Sequence, residues 1–570
     1  MDVDHFCRRV LRSSSGLCLG ALAACVFAGA CTGSTEPSGG DSGGASGSAG
    51  NNANPNGAAP SECNAKLSLA PARIWRLTDD QVANAVRDLF GVTISREVSG
   101  ARALGGSLNL AETGVITGTT ASNYATAAQA AAKEITRVMP SSLGCGAKLD
   151  DACITGFLRN KVARAFRRPL QDTEVAELLA VYRLGAPDGA AAGLELMLEA
   201  VLQSGSFLWR TEIGADAAPA PGRKVTLTPF EVAAALGFFF LDSVPDDELW
   251  AAAQDGSLAK RQVLSAQVDR LLAVPRVRET LVKNAGQWVG LGRLARIEKD
   301  KQLFPKFTAE IRDALIQGEE RFLSDVMWSG SLRDLFTSSR VYVNDQIASL
   351  YGLPSVGGQA GLTKVEPTSR ERGAGILTHP AILAAHSSPS RGDVVHRGLF
   401  VYNKLFCGST VPPPPASLAA VIAAQPKDAS ERELSGLRAT NPSCKGCHAF
   451  FDPLGLAHDR YDAIGVYREK DPGGRTIDQS SVIVNLGEGI DGPIDGLGDV
   501  AQRLAGSRRA ADCAVAELAT MALGRQAKDD VTCALATVKN EFAKSGSFID
   551  LYRALATSEG FTTRDVGEGK

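Results

Sequence analysis

The sequence lacks a strong charge of either sign, a second long apolar run and the common motifs of hydrolases. Its 570 residues carry 60 lysines and arginines against 63 aspartates and glutamates, so no basic surface for nucleic acid is expected. Beyond the first 30 residues no stretch is apolar enough to span a bilayer; AALGFFFL at 234–241 is far too short and is typical of a buried core. No Gly-x-Ser-x-Gly elbow, phosphate-binding loop or His-Glu-x-x-His motif occurs, which leaves hydrolase and nucleotide chemistry without support.

Strand patterns are also scarce, and no internal repeat of solenoid period occurs. The best strand candidate is Val482-Ile483-Val484, near glycine-rich turns. Capping boxes predict helix starts at Thr78 with Gln81 and at Thr228-Pro229-Phe230-Glu231. Apolar spacing predicts further helices at 155–168, 173–184, 190–203, 262–273, 307–327, 393–405, 510–523 and 531–544. We therefore expect a mainly α protein, built of several helical modules with little β structure.

The N-terminus has the layout of an export signal. Arginines at 8, 9 and 12 precede an uncharged, small and apolar run that ends at residue 30. A lipoprotein cleavage box ends at Cys25, and a less well matched one ends at Cys31. Residues 1–30 are therefore predicted to be a signal or lipoprotein peptide. One of these two cysteines is predicted to be the lipidated residue. An ordinary signal peptide or a single membrane anchor are the alternatives. Residues 31–62, rich in Gly, Ser, Asn, Pro and Ala, are predicted to be a disordered linker.

Helix breakers divide the remaining chain. They lie at 215–222 (ADAAPAPG), at 354–361, in the proline run 411–415 and at Asp471-Pro472-Gly473-Gly474. The predicted domains are N-terminal helical modules at 63–214, a central helical domain at 223–355, a module at 362–470 that contains the motif described below, and a C-terminal helical module at 474–570.

Cysteine usage agrees with export. Six of the twelve cysteines lie outside both the signal region and the motif described below: Cys63, Cys145, Cys153, Cys407, Cys513 and Cys533. An even number favours disulfides in an oxidising compartment, and fifteen pairings are open. The local candidates are Cys145 with Cys153 and Cys513 with Cys533, which would leave Cys63 with Cys407.

One motif carries chemistry: Cys444-Lys445-Gly446-Cys447-His448. Covalent haem attachment needs two thiols one helical turn apart and a histidine directly after the second, to bind the iron. We predict one haem c held by Cys444 and Cys447, with His448 as axial ligand, and therefore a cytochrome c-like haem module at 362–470. The following Phe450 and Phe451 offer apolar rings, and the residues from Asp452 to Gly455 are expected to form a tight turn. The competing interpretations are a redox dithiol, a zinc site and a plain disulfide. A redox dithiol should follow a strand, and a zinc site needs four ligands.

Five of the six histidines fall within about 80 residues: His379, His386, His396, His448 and His458. His386 and His396 flank the polar loop SSPSRGDV, and we favour one of them as the sixth iron ligand, with an open or water-bound position as the alternative. Met521 lies in a helical pattern that indicates core packing.

Two charged groups are expected to be structural. The arginines at 164, 167 and 168 lie near a predicted helix end, where cations suit the helix dipole. The acidic run Asp246-Asp247-Glu248 is expected to cap the helix that carries Leu249 and Trp250.

Segments along most of the chain resemble the planctomycete-cytochrome-type modular secreted proteins, whose modules are domains of unknown function 1587, 1595, 1592, 1588 and 1585, in that order. The similar segments are LTDDQVANAVRDLFGV (77–92), VARAFRRPLQDTE (162–174), LQSGSFLWRTE (202–212), PDDELWAAAQDGSL (245–258), YVNDQIASLYGLP (342–354), residues 371–398, PPPP (412–415), residues 441–469, GRTID (474–478) and LATMALGR (518–525). Relatives often have Met where this chain has Phe451, and usually Tyr where it has Met521.

The resemblance implies a secreted or envelope protein with a c-type haem module, and it supplies no reaction. We expect a periplasmic or outer-membrane lipoprotein that acts in electron transfer with an unknown redox partner, or as part of a haem-dependent oxidoreductase. The alternative is a non-redox extracytoplasmic binding or scaffold lipoprotein in which Cys-x-x-Cys-His is structural.

Overall fold

The computed structural model describes residues 69–96, 117–138, 149–215, 223–357, 361–410, 426, 428–524 and 534–566. The predicted signal peptide, both candidate lipidation sites and the predicted linker at 31–62 lie outside these ranges.

The described residues are mostly helical, as predicted. The helices are α1 (Asp79–Phe90), α2 (Gly118–Val138), α3 (Asp151–Phe157), α4 (Asp172–Gly185), α5 (Ala190–Gln203), α6 (Gly205–Leu208), α7 (Pro229–Leu236), α8 (Asp247–Gln254), α9 (Arg261–Leu272), α10 (Pro275–Trp288), α11 (Ala309–Ser329), α12 (Leu332–Thr337), α13 (Pro380–Ala385), α14 (Val394–Leu399), α15 (Glu431–Thr440), α16 (Lys445–Leu456), α17 (Leu497–Gly506), α18 (Arg508–Leu523), α19 (Ala536–Ser545), α20 (Phe548–Ala556) and α21 (Glu559–Thr562).

Three helices continue into π-helical turns: α3 into Leu158–Val162 and then a last turn at Ala163–Ala165, α7 into Gly237–Leu241, and α14 into Phe400–Leu405. Short 3₁₀ turns lie at Ala186–Asp188, Ser257–Ala259, Leu291–Arg293, Ala348–Tyr351, Arg370–Arg372 and Gly375–Thr378.

Both predicted capping boxes are confirmed. The Thr78 hydroxyl accepts from the Gln81 N–H while the Gln81 side chain accepts from the Thr78 N–H, and Thr228 and Glu231 do the same at the start of α7. Asp246 caps α8 as expected, because its carboxylate accepts from the Leu249 N–H at 3.0 Å. Capping depends on residues three positions apart, which is why the sequence predicts it well.

The β structure of the described residues consists of four two-stranded antiparallel sheets. β1 (Arg73–Arg76) pairs with β2 (Trp209–Glu212), β3 (Lys224–Thr226) with β8 (Thr563–Asp565), β4 (Val341–Val343) with β5 (Thr363–Val365), and β6 (Ser480–Ile483) with β7 (Gly492–Asp495). The predicted strand near Val482 is β6. The other strands have three or four residues, too few for a recognisable alternation.

Two apolar cores support the fold. The first joins α1–α6 and includes Phe238 and Val244 from the end of α7 and beyond. The second extends from Leu227 to Phe561 and contains most of the later helices. The described residues belong to one compact unit, and their contacts cross the predicted linkers: β3, for example, pairs with β8 near the C-terminus. The predicted module boundaries stay predictions.

A buried cluster of charges joins the beginning of the described chain to its end. The Glu212 carboxylate lies 2.8 Å from Arg564 Nε and 3.2 Å from Arg73 Nε. The Arg210 guanidinium lies 3.4 Å from the centre of the Trp75 ring, a cation–π contact. Burial alone would raise the pKa of Glu212, but the charges of Arg564, Arg210 and Arg73 outweigh it and lower this pKa to about 2. Glu212 is therefore ionised in the folded protein, and its negative charge offsets the charges of Arg564, Arg210 and Arg73.

The arginines near the end of α3 have structural roles, as expected. Arg168 binds both carboxylate oxygens of Glu174, and Arg164 pairs with Asp247. Arg167 is buried, and its guanidinium donates to the carbonyl oxygens of Ala165, Ser206, Phe207 and Trp209. Burial lowers the pKa of Arg167 to about 9.

The disulfide pairing differs from the predicted one. Cys407 is bonded to Cys513, 106 residues away, with Cα atoms 5.3 Å apart. The predicted pairs Cys513–Cys533 and Cys63–Cys407 are therefore wrong. The physical reason is that α18, which carries Cys513, packs against the π turn directly before Cys407, so proximity in space outweighs proximity in sequence. Cys153 is itself disulfide-bonded, and Cys145, its predicted partner, lies outside the described residues.

Helices α14 and α16 cross at very short distance through two glycines. A Cβ at Gly398 would collide with the Phe451 carbonyl oxygen, and one at Gly455 with the Val394 carbonyl oxygen. The pairing of these positions makes the two helices antiparallel, so the π turn after α14 runs towards the N-terminal end of α16. Of the helices that the structure describes, none has both the length and the apolar character needed to cross a bilayer.

Replacing the buried carboxylate at Glu212 should destabilise the fold. We expect Glu212→Gln to lower the free energy of unfolding at pH 7 by about 3 kcal/mol, because three buried or half-buried cations lose their counter-charge. The wild-type protein should lose this contribution as the pH falls from the unfolded-state value near 4.5 towards 2, since the folded-state pKa is the lower one. Denaturant unfolding at several pH values measures both effects.

Glu248→Gln is the matched control, because Glu248 pairs with Arg270 at 3.2 Å on the surface with 64% of its side chain exposed. It should change stability by less than about 1 kcal/mol. Equal losses in the two variants would contradict the importance of the buried cluster.

The close approach of α14 and α16 at Gly398 and Gly455 leads to a second prediction. Gly455→Ala should cost about 1–3 kcal/mol of folding free energy because the added methyl pushes α14 and α16 apart. Gly436→Ala on α15 is its control: a Cβ there meets nothing within 4 Å, so the change should be neutral or slightly stabilising. Denaturant midpoints of the two variants provide the comparison, and similar midpoints would contradict the close crossing.

Candidate functional site

The Cys-x-x-Cys-His motif forms the first turn of α16. The Asn441 carbonyl oxygen accepts from the N–H groups of Cys444 and Lys445, and the Asn441 side chain accepts from the Ser443 N–H, so Asn441 holds the turn that joins α15 to α16. Cys444 is half-buried and Cys447 is exposed, and both have free thiols. The two sulfur atoms thus lie one turn apart without a disulfide between them, and Cys447 is the more accessible of the two.

His448 is oriented by a buried carboxylate. Its ring Nδ1 lies 2.9 Å from Asp452 Oδ1, and Asp452 Oδ2 accepts from Arg438 Nε at 2.8 Å. Asp452 and Arg438 are 3% and 6% exposed. A carboxylate that pairs with a guanidinium accepts hydrogen bonds, so Nδ1 is the donor in this contact and Nε2 is the ring nitrogen left to bind a metal. A histidine held in this way is ready to bind a metal through Nε2.

Aromatic side chains surround this turn. The His448 ring lies 4.7 Å from the buried Phe451 ring, and Phe450 stacks on Tyr402 with the ring centres 5.7 Å apart. Tyr402 belongs to the π turn after α14. Burial raises the pKa of Tyr402, the charge of Arg509 opposes this, and the charge of a Cys447 thiolate raises it further. The apolar surroundings expected from the sequence are present.

The expected tight turn from Asp452 to Gly455 is wrong, because α16 continues to Leu456 with Pro453 inside it. A proline removes one helical hydrogen bond. Here the Ser481 hydroxyl donates to the Pro453 carbonyl at 2.9 Å, and Gly455 is held against α14 on the same helix. Tertiary contacts outweigh the local preference of the Asp-Pro pair.

The two candidates for a sixth iron ligand have different environments. His386 is buried, stacks on Phe400 at 4.2 Å and hydrogen-bonds the Val289 carbonyl oxygen through Nε2 at 2.9 Å. Burial lowers the pKa of His386 to about 3, so its ring is neutral. His396 is exposed, and its Nδ1 lies 2.6 Å from Asp393 Oδ2. A sixth ligand from either residue stays a prediction.

The remaining histidines and Met521 lie in the core. His458 is buried, hydrogen-bonds the Leu454 carbonyl oxygen through Nδ1, and has its pKa lowered to about 3 by burial. His379 pairs with the buried Glu319 at 2.9 Å. Met521 is buried on α18, in agreement with the packing role indicated by its pattern.

Sequence reasoning missed three residues of this site. Asp452 lies four positions after His448 on a helix, a spacing at which side chains meet, and this signal was available. Arg438 and Tyr402 come from other elements, α15 and the π turn, and no local pattern indicates them. Within the described ranges, no three His, Cys, Asp or Glu side chains are arranged to hold a metal ion.

Three segments match known families. Residues 153–212 match PSD5, a protein of unknown function (DUF1595); residues 227–353 match PSD4, a protein of unknown function (DUF1592); residues 373–471 match PSCyt3, a protein of unknown function (DUF1588). No curated protein and no solved structure matches the chain. The three families occur in the predicted order, and the expected first and last modules, domains 1587 and 1585, stay predictions.

The last of these segments contains the whole motif at 444–448 together with Arg438, Tyr402 and Asp452. The chain belongs to the planctomycete-cytochrome-type modular family, and its module at 373–471 is cytochrome-like.

Proposed function

We propose that this protein carries one haem c, linked through thioether bonds to Cys444 and Cys447 and bound at its iron by His448, and that it acts in electron transfer or as part of a redox enzyme. The observation that carries the proposal is the first turn of α16. Two free thiols lie there one turn apart, beside an imidazole whose Nδ1 is committed to Asp452.

The side chains around the motif fit this cofactor better than its competitors. Thioether formation needs accessible sulfur atoms that are not joined in a disulfide, and Cys444 and Cys447 are neither fully buried nor disulfide-bonded. A thioredoxin-like dithiol follows a strand, whereas α15 precedes this motif. A structural zinc ion wants four ligands, and the described residues bring no such set together here.

Each residue of the site then has a task. Cys444 and Cys447 hold the macrocycle, and His448 binds the iron through Nε2 while Asp452 fixes its ring orientation. Phe451 and the Phe450–Tyr402 stack offer apolar contact. A bound haem would supply reversible one-electron exchange at its iron. His386 or His396 would supply the sixth ligand of the iron, or the sixth position would stay open. An open position would favour an oxidoreductase over an electron carrier.

We also propose that the protein is exported and held at the envelope by a lipid on Cys25 or Cys31, where it meets an unknown redox partner. The Cys407–Cys513 disulfide supports an oxidising compartment. The apolar run before residue 31 and the polar tract after it support a lipid anchor followed by a tether.

Covalent attachment predicts a mass increase. Protein made in a host with periplasmic haem-attachment machinery should stain for haem and be heavier than the apoprotein by one haem. The double variant Cys444→Ser/Cys447→Ser should lose both properties, because no thiol remains to react. Intact-protein mass spectrometry and haem staining measure the result, and the absorption spectrum of the same sample separates low-spin from high-spin iron.

Lys445→Ser is the matched control, since Lys445 is exposed between the two cysteines and has no thiol. It should retain the haem. If the wild-type protein has the apoprotein mass, this result would contradict the proposed haem attachment. A non-redox binding or scaffold function would then be favoured.

A further inference from the structure

His448, Asp452 and Arg438 form a linear chain of charges and hydrogen bonds. The imidazole donates through Nδ1 to one carboxylate oxygen at 2.9 Å, and the other oxygen accepts from Arg438 Nε at 2.8 Å. The carboxylate therefore bridges the imidazole and the guanidinium, one on each oxygen.

Burial gives these charges their influence. Asp452 is 3% exposed and Arg438 is 6% exposed, so water screens their interaction poorly. Among the described residues, buried Arg438 Nη2 has no hydrogen-bond partner, and Nε bonds Asp452, so this carboxylate is the hydrogen-bonded partner of the guanidinium, whose charge also acts on Glu431. The strength of the guanidinium–carboxylate bond thus controls how much negative charge remains for the imidazole.

The two residues should act on a His448-bound iron in opposite directions. A carboxylate that accepts from Nδ1 makes the imidazole a more basic ligand, which stabilises the oxidised metal. A guanidinium on the far carboxylate oxygen withdraws part of that charge. Simple Coulomb attraction has the same signs, because a nearby anion favours the more positive iron and a nearby cation disfavours it.

We propose that Asp452 and Arg438 are positioning residues that set the reduction potential of the His448-bound iron, Asp452 lowering it and Arg438 raising it. This inference rests on the proposed haem attachment. It goes further by assigning to two other side chains of the module control over how readily the iron accepts an electron.

The test is a spectroelectrochemical titration of the haem-loaded wild-type protein and of variants whose haem content is confirmed by mass. Asp452→Asn keeps the shape of the side chain and removes its charge, so its midpoint potential should shift upward. Arg438→Gln removes the opposing cation, so its midpoint potential should shift downward. Arg438→Lys keeps the cation and should stay near the wild-type value. A merely structural role would not give shifts of opposite sign together with rescue by lysine.

The control is Asp269→Asn on α9, where the carboxylate pairs with Arg553 at 2.6 Å on the surface. It should leave the potential unchanged. Shifts of the same sign in Asp452→Asn and Arg438→Gln, or no shift in either, would overturn the inference while the haem remained in place. If Asp452→Asn fails to retain haem, the comparison of Arg438→Gln with Arg438→Lys decides alone. A wild-type protein without haem would instead refute the proposed function.

Discussion

The close contact between α14 and α16 determines where the motif lies. Gly398 and Gly455 have no side chains at the two points where a Cβ would meet the main chain of the other helix. Dispersion attraction between two backbones is gained only when no atoms keep them apart. Once α16 is held in this way, its later residues, such as Phe451, are buried, and its first turn presents Cys447 to the solvent.

Buried guanidinium groups hold the irregular backbone around this helix pair. Arg397 donates to the carbonyl oxygens of Leu383, His458, Tyr461 and Asp462, and Arg372 to those of Leu350, Tyr351, Thr378 and Gly465. Carbonyl groups of loops would otherwise be buried without a donor, at a cost of about 1–3 kcal/mol each. Arg372 reaches backbone on both sides of the segment boundary near residue 360, so the central helices and the cytochrome-like module share one framework.

The site combines an exposed reactive edge with a buried support. Cys444 and Cys447 are reachable, while the groups that orient His448 are shielded from water. For the proposed haem, this arrangement would leave the attachment sites accessible and the supporting charges weakly screened by solvent. Two further buried histidines, His386 and His458, are kept neutral by burial, and each hydrogen-bonds a main-chain carbonyl oxygen.

The sequence by itself determined the features that depend on neighbouring residues. The capping boxes at Thr78 and Thr228, the cap at Asp246, the eight helices predicted from apolar spacing and the Cys-x-x-Cys-His spacing follow from interactions within a few positions. Tertiary structure decided the rest. Cys407 bonds Cys513 because α18 packs beside the π turn, α16 continues through Pro453 because Ser481 and α14 support it, and Arg438 reaches Asp452 because α15 lies against α16. Such contacts join residues far apart in the chain, and a local pattern contains no information about which distant segment burial will bring into contact.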